Sequence, residues 1–153
     1  MKVRVMVYLD GVIAGIIGAA IIAILFLFLD AVTRLPLYTP TVLGTGLFVG
    51  TEDLASTEGV EVSLKLTLMY TWVHWLAFIV LGVITALVLL SKRNLHLGIV
   101  HLALFVVLEL GFVGTTFVFA KPVLNELAWP IVLVGNFLAA SGVACYLSLR
   151  QKN

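Results

Sequence analysis

Four long apolar runs dominate the chain, set apart by two short polar breaks and one long one. They cover residues 8–31, 67–90, 96–120 and 128–149. At 1.5 Å rise per residue, about 20 residues cross a hydrocarbon core of about 30 Å, so each run is long enough to span a bilayer. Inside lipid the backbone has no water to pair with, and a crossing segment must satisfy its own amides as a helix. The pattern predicts an all-α integral membrane protein, a single four-helix bundle over residues 1–153.

The breaks predict how the helices connect. Residues 91–95 make a tight turn carrying Lys92 and Arg93, and residues 121–127 make a short loop with Pro122. Such connections set helices antiparallel and side by side, so the second, third and fourth spans are expected to form consecutive hairpins. The first connection, residues 32–66, is much longer. Within it Thr39-Pro40 reads as a helix start, with Thr39 as cap and Pro40 in the first turn. Residues 41–49 are apolar but too few to span, which predicts a short helix lying on the membrane surface or a shallow re-entrant piece. Residues 51–61 bring Glu52, Asp53, Glu58 and Glu61 together in a solvated loop.

Composition agrees with this reading and closes off others. Hydrophobic residues make up 62% of the chain and charged ones 11%, with a mean hydropathy of +1.19. A soluble domain carries about 25% charged residues. A net charge of +1, with no basic face, excludes a nucleic-acid partner. Cys145 is the single cysteine, so neither an internal disulfide nor a cysteine-based metal cluster can form. The start of the chain, with Lys2 and Arg4 ahead of an apolar run, is similar to a secretory leader. The uncharged stretch from Gly11 to Leu29 exceeds the roughly 7–15 residues of a signal core, and it is expected to stay as the first span.

Charge asymmetry sets an orientation. With both termini cytoplasmic, Lys2, Arg4, Lys92, Arg93, Arg150 and Lys152 fall inside and Arg34, Lys65 and Lys121 outside, as the positive-inside rule requires. Tyr70, Trp72, Trp75 and Trp129 then gather at the outer interface, Tyr8 and Tyr146 at the inner one. The acidic loop faces away from the cytoplasm.

Polar groups inside the spans carry the functional question, since ionisable residues are costly there. Counting from the outer helix ends at 1.5 Å per residue, His74 lies about 10 Å deep, Glu109 about 16 Å and Asn136 about 12 Å. These three are the candidate cofactor-binding residues and can share one layer. His101 lies near the opposite end of its helix. A bis-histidine haem within one copy is therefore not expected. His96 and His101 are about 140° apart around their helix, which disfavours a shared metal site, and no metal site is assigned. No catalytic motif of the metalloprotease, phosphate-loop or nucleophile-elbow kind occurs, so no catalytic residue is assigned either.

Each candidate has two readings. Glu109 is a proton carrier or cation ligand, or else a neutral acid hydrogen-bonded to a neighbouring helix. His74 is its partner or a single axial ligand to a pigment, or else an interfacial packing residue beside Trp72 and Trp75. Asn136 reads first as interhelical glue. Thr67, Thr71 and His74 recur at helical spacing as a polar stripe, and Thr116 lies on the Glu109 face. Asp10 and Asp30 bracket the first span and read as solvated ends, His96 and His101 as interfacial or packing residues, Cys145 as a small packer. Gly11, Gly15 and Gly18, and Gly135 with Ala139, form small-residue faces that let helix backbones approach. They offer a surface for another transmembrane subunit or for self-association.

The segments Gly11-Val12-Ile13-Ala14-Gly15, Arg34-Leu35-Pro36-Leu37-Tyr38-Thr39-Pro40 and Leu43-Gly44 resemble those of small bacterial inner-membrane proteins with four helices, a long first loop and no assigned function. The resemblance covers roughly the first third and implies a bacterial inner-membrane setting without adding catalytic residues. Two functions follow as expectations. One is an accessory subunit of a respiratory or photosynthetic membrane complex, binding lipid, quinone or pigment at its edge. The other is a small oligomeric proton-coupled carrier centred on Glu109. A membrane enzyme ranks third, because the long loop supplies acids but no histidine or cysteine.

Overall fold

The computed structural model describes residues 2–50, 61–91, 96–119 and 129–151. The loop residues Glu52, Asp53 and Glu58, the turn residues Lys92 and Arg93, and Lys121, Pro122 and Lys152 lie outside the described residues, as do the side chains of Lys2, Arg4, Thr116 and Trp129. Five helices follow in order: α1 Lys2–Thr33, α2 Tyr38–Phe48, α3 Leu64–Ser91, α4 Leu97–Phe119 and α5 Trp129–Gln151. No strand occurs among the described residues. Three apolar stretches, Met6–Thr33, Leu64–Leu89 and Pro130–Arg150, are long enough to cross a membrane, and Gly98–Gly114 of α4 is a shorter apolar one. Large apolar side chains point outward all round: Phe28 is 69% exposed and Trp72 70%. A surface of that kind suits lipid rather than water.

Helix α1 is the centre of the bundle, with α3 on one flank and α5 on the other. The reason is the small-residue face read from the sequence. A Cβ at Gly11 would sit 2.6 Å from the Val83 Cα, and one at Gly15 would sit 2.5 Å from the Ile79 Cα. From the other side a Cβ at Gly82 would collide with the Gly11 carbonyl oxygen and the Gly15 amide. Only hydrogen atoms fit between these backbones. Gly18 accommodates Phe78 of α3 and Val143 of α5, while Gly135 and Gly142 receive Leu25, Ile22 and Ile21 of α1. The glycine face that could have served another subunit is thus filled within the chain. Ala14, Ala19, Ala139 and Ala140, all fully buried, complete the same packing. Helices in lipid gain nothing from hydrophobic burial against one another, so close backbone contact is the main source of their attraction.

This centre changes the expected hairpin order. Helix α4 packs on α5, but α3 and α4 meet only marginally despite the short connection between them. A turn tethers two helix ends and no more. The glycine seam draws α3 against α1, and α4 follows α5.

The remaining element, α2, wedges into the end of the bundle where α1 stops and α3 starts. Its buried face carries Thr39, Thr41, Val42, Gly44, Thr45 and Gly46. The Thr41 hydroxyl pairs with that of Thr67 at 3.0 Å, and the Ser63 amide donates to Thr41 Oγ1 at 3.2 Å. A Cβ at Gly44 would sit 2.6 Å from the Leu66 carbonyl oxygen, so α2 lies with its backbone on the first turn of α3.

The start of α2 corrects two expectations. Thr39 is the second helical residue, not the cap; Leu37 is the cap, in the left-handed region at φ 69°, and makes no side-chain cap bond. Capping comes instead from Asp30, nine residues upstream. Its carboxylate accepts the Thr39 amide at 2.7 Å and the Thr39 hydroxyl at 2.6 Å. Asp30 is fully buried, not a solvated end. A carboxylate suits that place because the first amides of a helix lack partners and carry its positive dipole end. Pro40 follows without cost, having no amide hydrogen to satisfy. Toward the other end of α1, about two turns in from Lys2, Asp10 is paired as well, accepting from Arg150 Nε at 2.8 Å and from the Tyr146 hydroxyl at 3.3 Å. These contacts tie the first part of α1 to the end of α5. Cys145 faces outward from α5 and is exposed, so it is not a packing residue.

Candidate functional site

Because α3 is held by α1 and α4 by α5, the two leave a gap between them. The gap is a cavity of about 510 Å³, floored by α1, closed at one end by α2 and flanked by α3 and α4, with Val132 and Asn136 of α5 in its wall. Small-molecule sites occupy about 300–1,000 Å³ and are mostly apolar with a few placed polar groups. That description fits here. Phe26, Leu43, Phe78, Leu81, Leu108 and Phe112 make up much of the wall, and none of the described lining residues is Asp, Glu, Lys or Arg.

Helix α3 supplies the polar line, since Thr67, Thr71 and His74 recur on one face at helical spacing. The hydroxyls are already used within the fold. Thr71 donates to the Thr67 carbonyl at 2.7 Å, and Thr67 pairs with Thr41. His74 differs. Its ring lies between Tyr70, stacked at 5.9 Å between centroids, and Phe78, met edge-on at 4.9 Å. Its Nε2 atom is buried and has no hydrogen-bond partner. A buried polar nitrogen without a partner costs about 1–3 kcal/mol, so such an atom calls for an explanation.

Of the three candidates, two are bonded to each other. Asn136 donates through Nδ2 to Glu109 Oε1 at 3.0 Å. Asn136 is buried and lines the cavity along with His74; Glu109 is not among the lining residues. The pair links α4 to α5, the glue that a buried amide makes between membrane helices. His101 is apart from them, hydrogen-bonded to Ser141 Oγ at 3.1 Å and packed on the Phe137 ring. Among the described residues no group of three or more His, Cys, Asp or Glu side chains could hold a metal ion.

Sequence reasoning missed the contribution of α2 to this site. Leu37, Thr39, Pro40, Leu43 and Leu47 all line the cavity. The signal available was Asp30, an acid at the end of an apolar run and within reach of a helix start, which is the place for a capping carboxylate. The fold and site together describe a helical bundle with membrane-type apolar helices around a partly open apolar cavity. No protein-family model matches the chain, and no curated protein or solved structure matches it either.

Proposed function

We propose that the chain is an accessory subunit of a larger bacterial inner-membrane assembly of respiratory or photosynthetic type, and that it holds an apolar small molecule between α3 and α4. In this reading α4 is the fourth span and both termini are cytoplasmic, as the distribution of lysine and arginine favours. The observation that carries it is the apolar cavity lined by His74, whose buried Nε2 has no hydrogen-bond partner. The sequence carries no metalloprotease, phosphate-loop or nucleophile-elbow motif, which suits a supporting role, and a ligand site suits a role beyond packing. Partner subunits would meet its outward faces, such as Ile99, Leu102 and Leu110 of α4, since the glycine seam is occupied from within. A proton-coupled carrier would want Glu109 on an aqueous path, and a cavity with no charged residue in its described lining gives that reading no support.

Purification from native membranes in a gentle detergent tests the proposal. Mass spectrometry is expected to find stoichiometric partner chains, and solvent extraction one apolar compound enriched over bulk lipid. A homo-oligomer carrying bulk lipid alone would sink it. A reporter fused behind Asn153 is expected to read as cytoplasmic; an external signal would reverse the orientation.

A further inference from the structure

The hydrogen-bonding capacity left on the cavity wall is small and specific. Thr39 gives its hydroxyl proton to Asp30, Thr71 gives its own to a backbone carbonyl, and Thr67 is joined to Thr41. Asn136 commits one N–H to Glu109. What remains on the wall is the His74 imidazole, whose Nε2 is buried without a partner, together with the Tyr70 hydroxyl and the rest of the Asn136 amide. A phosphate, carboxylate or sugar headgroup needs several donors or a cation when buried, and none of the described lining residues is lysine or arginine. The wall suits a molecule with one or two oxygens on an otherwise apolar body.

Ring chemistry narrows the class. Tyr70, His74 and Phe78 present three rings along one face of α3, and Phe26 and Phe112 line the cavity from α1 and α4. Aromatic walls favour a flat ring through stacked or edge-on contacts. A neutral imidazole has one donor and one acceptor nitrogen, so Nε2 serves either a carbonyl or a hydroxyl by exchange of tautomer. That property matches a molecule whose ring oxygens alternate between the two states. The cavity also has a side opening. Val73 of α3, Val107 of α4 and Leu27 of α1 line it and yet are 42%, 46% and 46% exposed. Between α3 and α4 a chain of hydrocarbon can leave directly into lipid.

From these observations we infer that the cavity binds a quinone or quinol, its ring oxygen hydrogen-bonded to the His74 imidazole and its tail passing out between α3 and α4. The inference rests on the cavity being a ligand site.

The test uses the full chain in detergent, titrated with a decyl-substituted benzoquinone, and reads quenching of tryptophan fluorescence; Trp72 and Trp75 flank His74 in the sequence. A tryptophan-containing membrane peptide gives the collisional background. Saturable quenching above that background is expected, reversed by the corresponding quinol and not by decanol. In His74→Phe, affinity is expected to fall about five- to tenfold, the worth of one hydrogen bond, with the melting curve retained. Gly111→Leu gives a second variant. Gly111 lines the cavity and a Cβ there meets nothing within 4 Å, so a leucine is expected to occupy part of the cavity and abolish the saturable quenching. Unchanged quenching in the variants that fold overturns the inference, and Gly111→Leu decides alone if His74→Phe does not fold. Equal displacement by decanol overturns it too, while leaving the cavity as a site for apolar molecules. No saturable binding of either probe removes both the inference and the reading beneath it.

Discussion

Along α3, the side that meets α1 and the side that meets the cavity are built on opposite terms. Toward α1 stands Gly82, so close to Gly11 and Gly15 that no side chain fits between the backbones. Toward the cavity stand Thr67, Thr71, His74 and Ala77, facing Gly111 and Phe112 of α4 across open space. Were hydrophobic burial the organising force, α3 and α4 would close on each other, being only a few residues apart in sequence. In lipid that force is absent and helices stay where their surfaces interlock. The seam holds α3 firmly enough on one side that its other side need hold nothing. A tight contact thereby makes room for a loose one, and the polar residues collect where the room is.

The comparison breaks most sharply at Gly82. In Gly82→Leu the added side chain must push α1 and α3 apart along their whole seam, and a loss of more than about 3 kcal/mol is expected. Gly15→Ala, which adds a single carbon against the Phe78 carbonyl and the Ile79 Cα, is expected to cost about 1–3 kcal/mol. Unfolding in graded mixtures of mild and denaturing detergent measures both. Near-wild-type stability for Gly82→Leu would mean that the seam does not hold the bundle, and the account of the cavity as its consequence would fall with it.

The next effect tests the closed end of the cavity. Asp30→Ala removes both acceptors of Thr39 and leaves its buried amide and hydroxyl unpaired, which is expected to cost about 2–3 kcal/mol. The loss should be local. Hydrogen exchange is expected to quicken across α2, which has a left-handed Leu37 at its start and no other side-chain cap, while the α1–α3 seam keeps its protection. Asp30→Asn retains an acceptor for one of the two bonds and should fall between. Equal exchange in α2 before and after Asp30→Ala would show the contact to be incidental.

Much of the architecture was legible because membrane helices announce themselves by length and hydropathy, and close approach by Gly11 and Gly15. The partner of that glycine face was not legible. Gly82 is an isolated glycine in α3, and only packing shows that it lies against the other two. Depth along the helices brought Asn136 and Glu109 to one level, and the hydrogen bond between them follows from it. Depth says nothing of rotation, however, and rotation decides that Asn136 lines the cavity and Glu109 does not. Asp10 and Asp30 were misread for one reason: a charge flanking an apolar run looks solvated until its partner, Arg150 far off in sequence or Thr39 nine residues on, is placed beside it. The cavity itself is a property of what α3 and α4 fail to do, which no local pattern encodes.

The smallest effect sharpens the contrast by its sign. Gly111 sits in the middle of α4, where glycine is worse than alanine by about 1 kcal/mol in helix propensity. A Cβ there meets nothing within 4 Å, whereas Gly11, Gly15 and Gly82 of the α1–α3 seam each meet backbone. Gly111→Ala is therefore expected to stabilise the protein, by up to about 1 kcal/mol, in the same detergent unfolding measurement. The same substitution at Gly15 destabilises. Opposite signs for one chemical change would mark the seam as packed and the gap as open, independently of any ligand. A loss of stability in Gly111→Ala would mean that α3 and α4 draw together in the membrane, and that the cavity is narrower there than its walls imply.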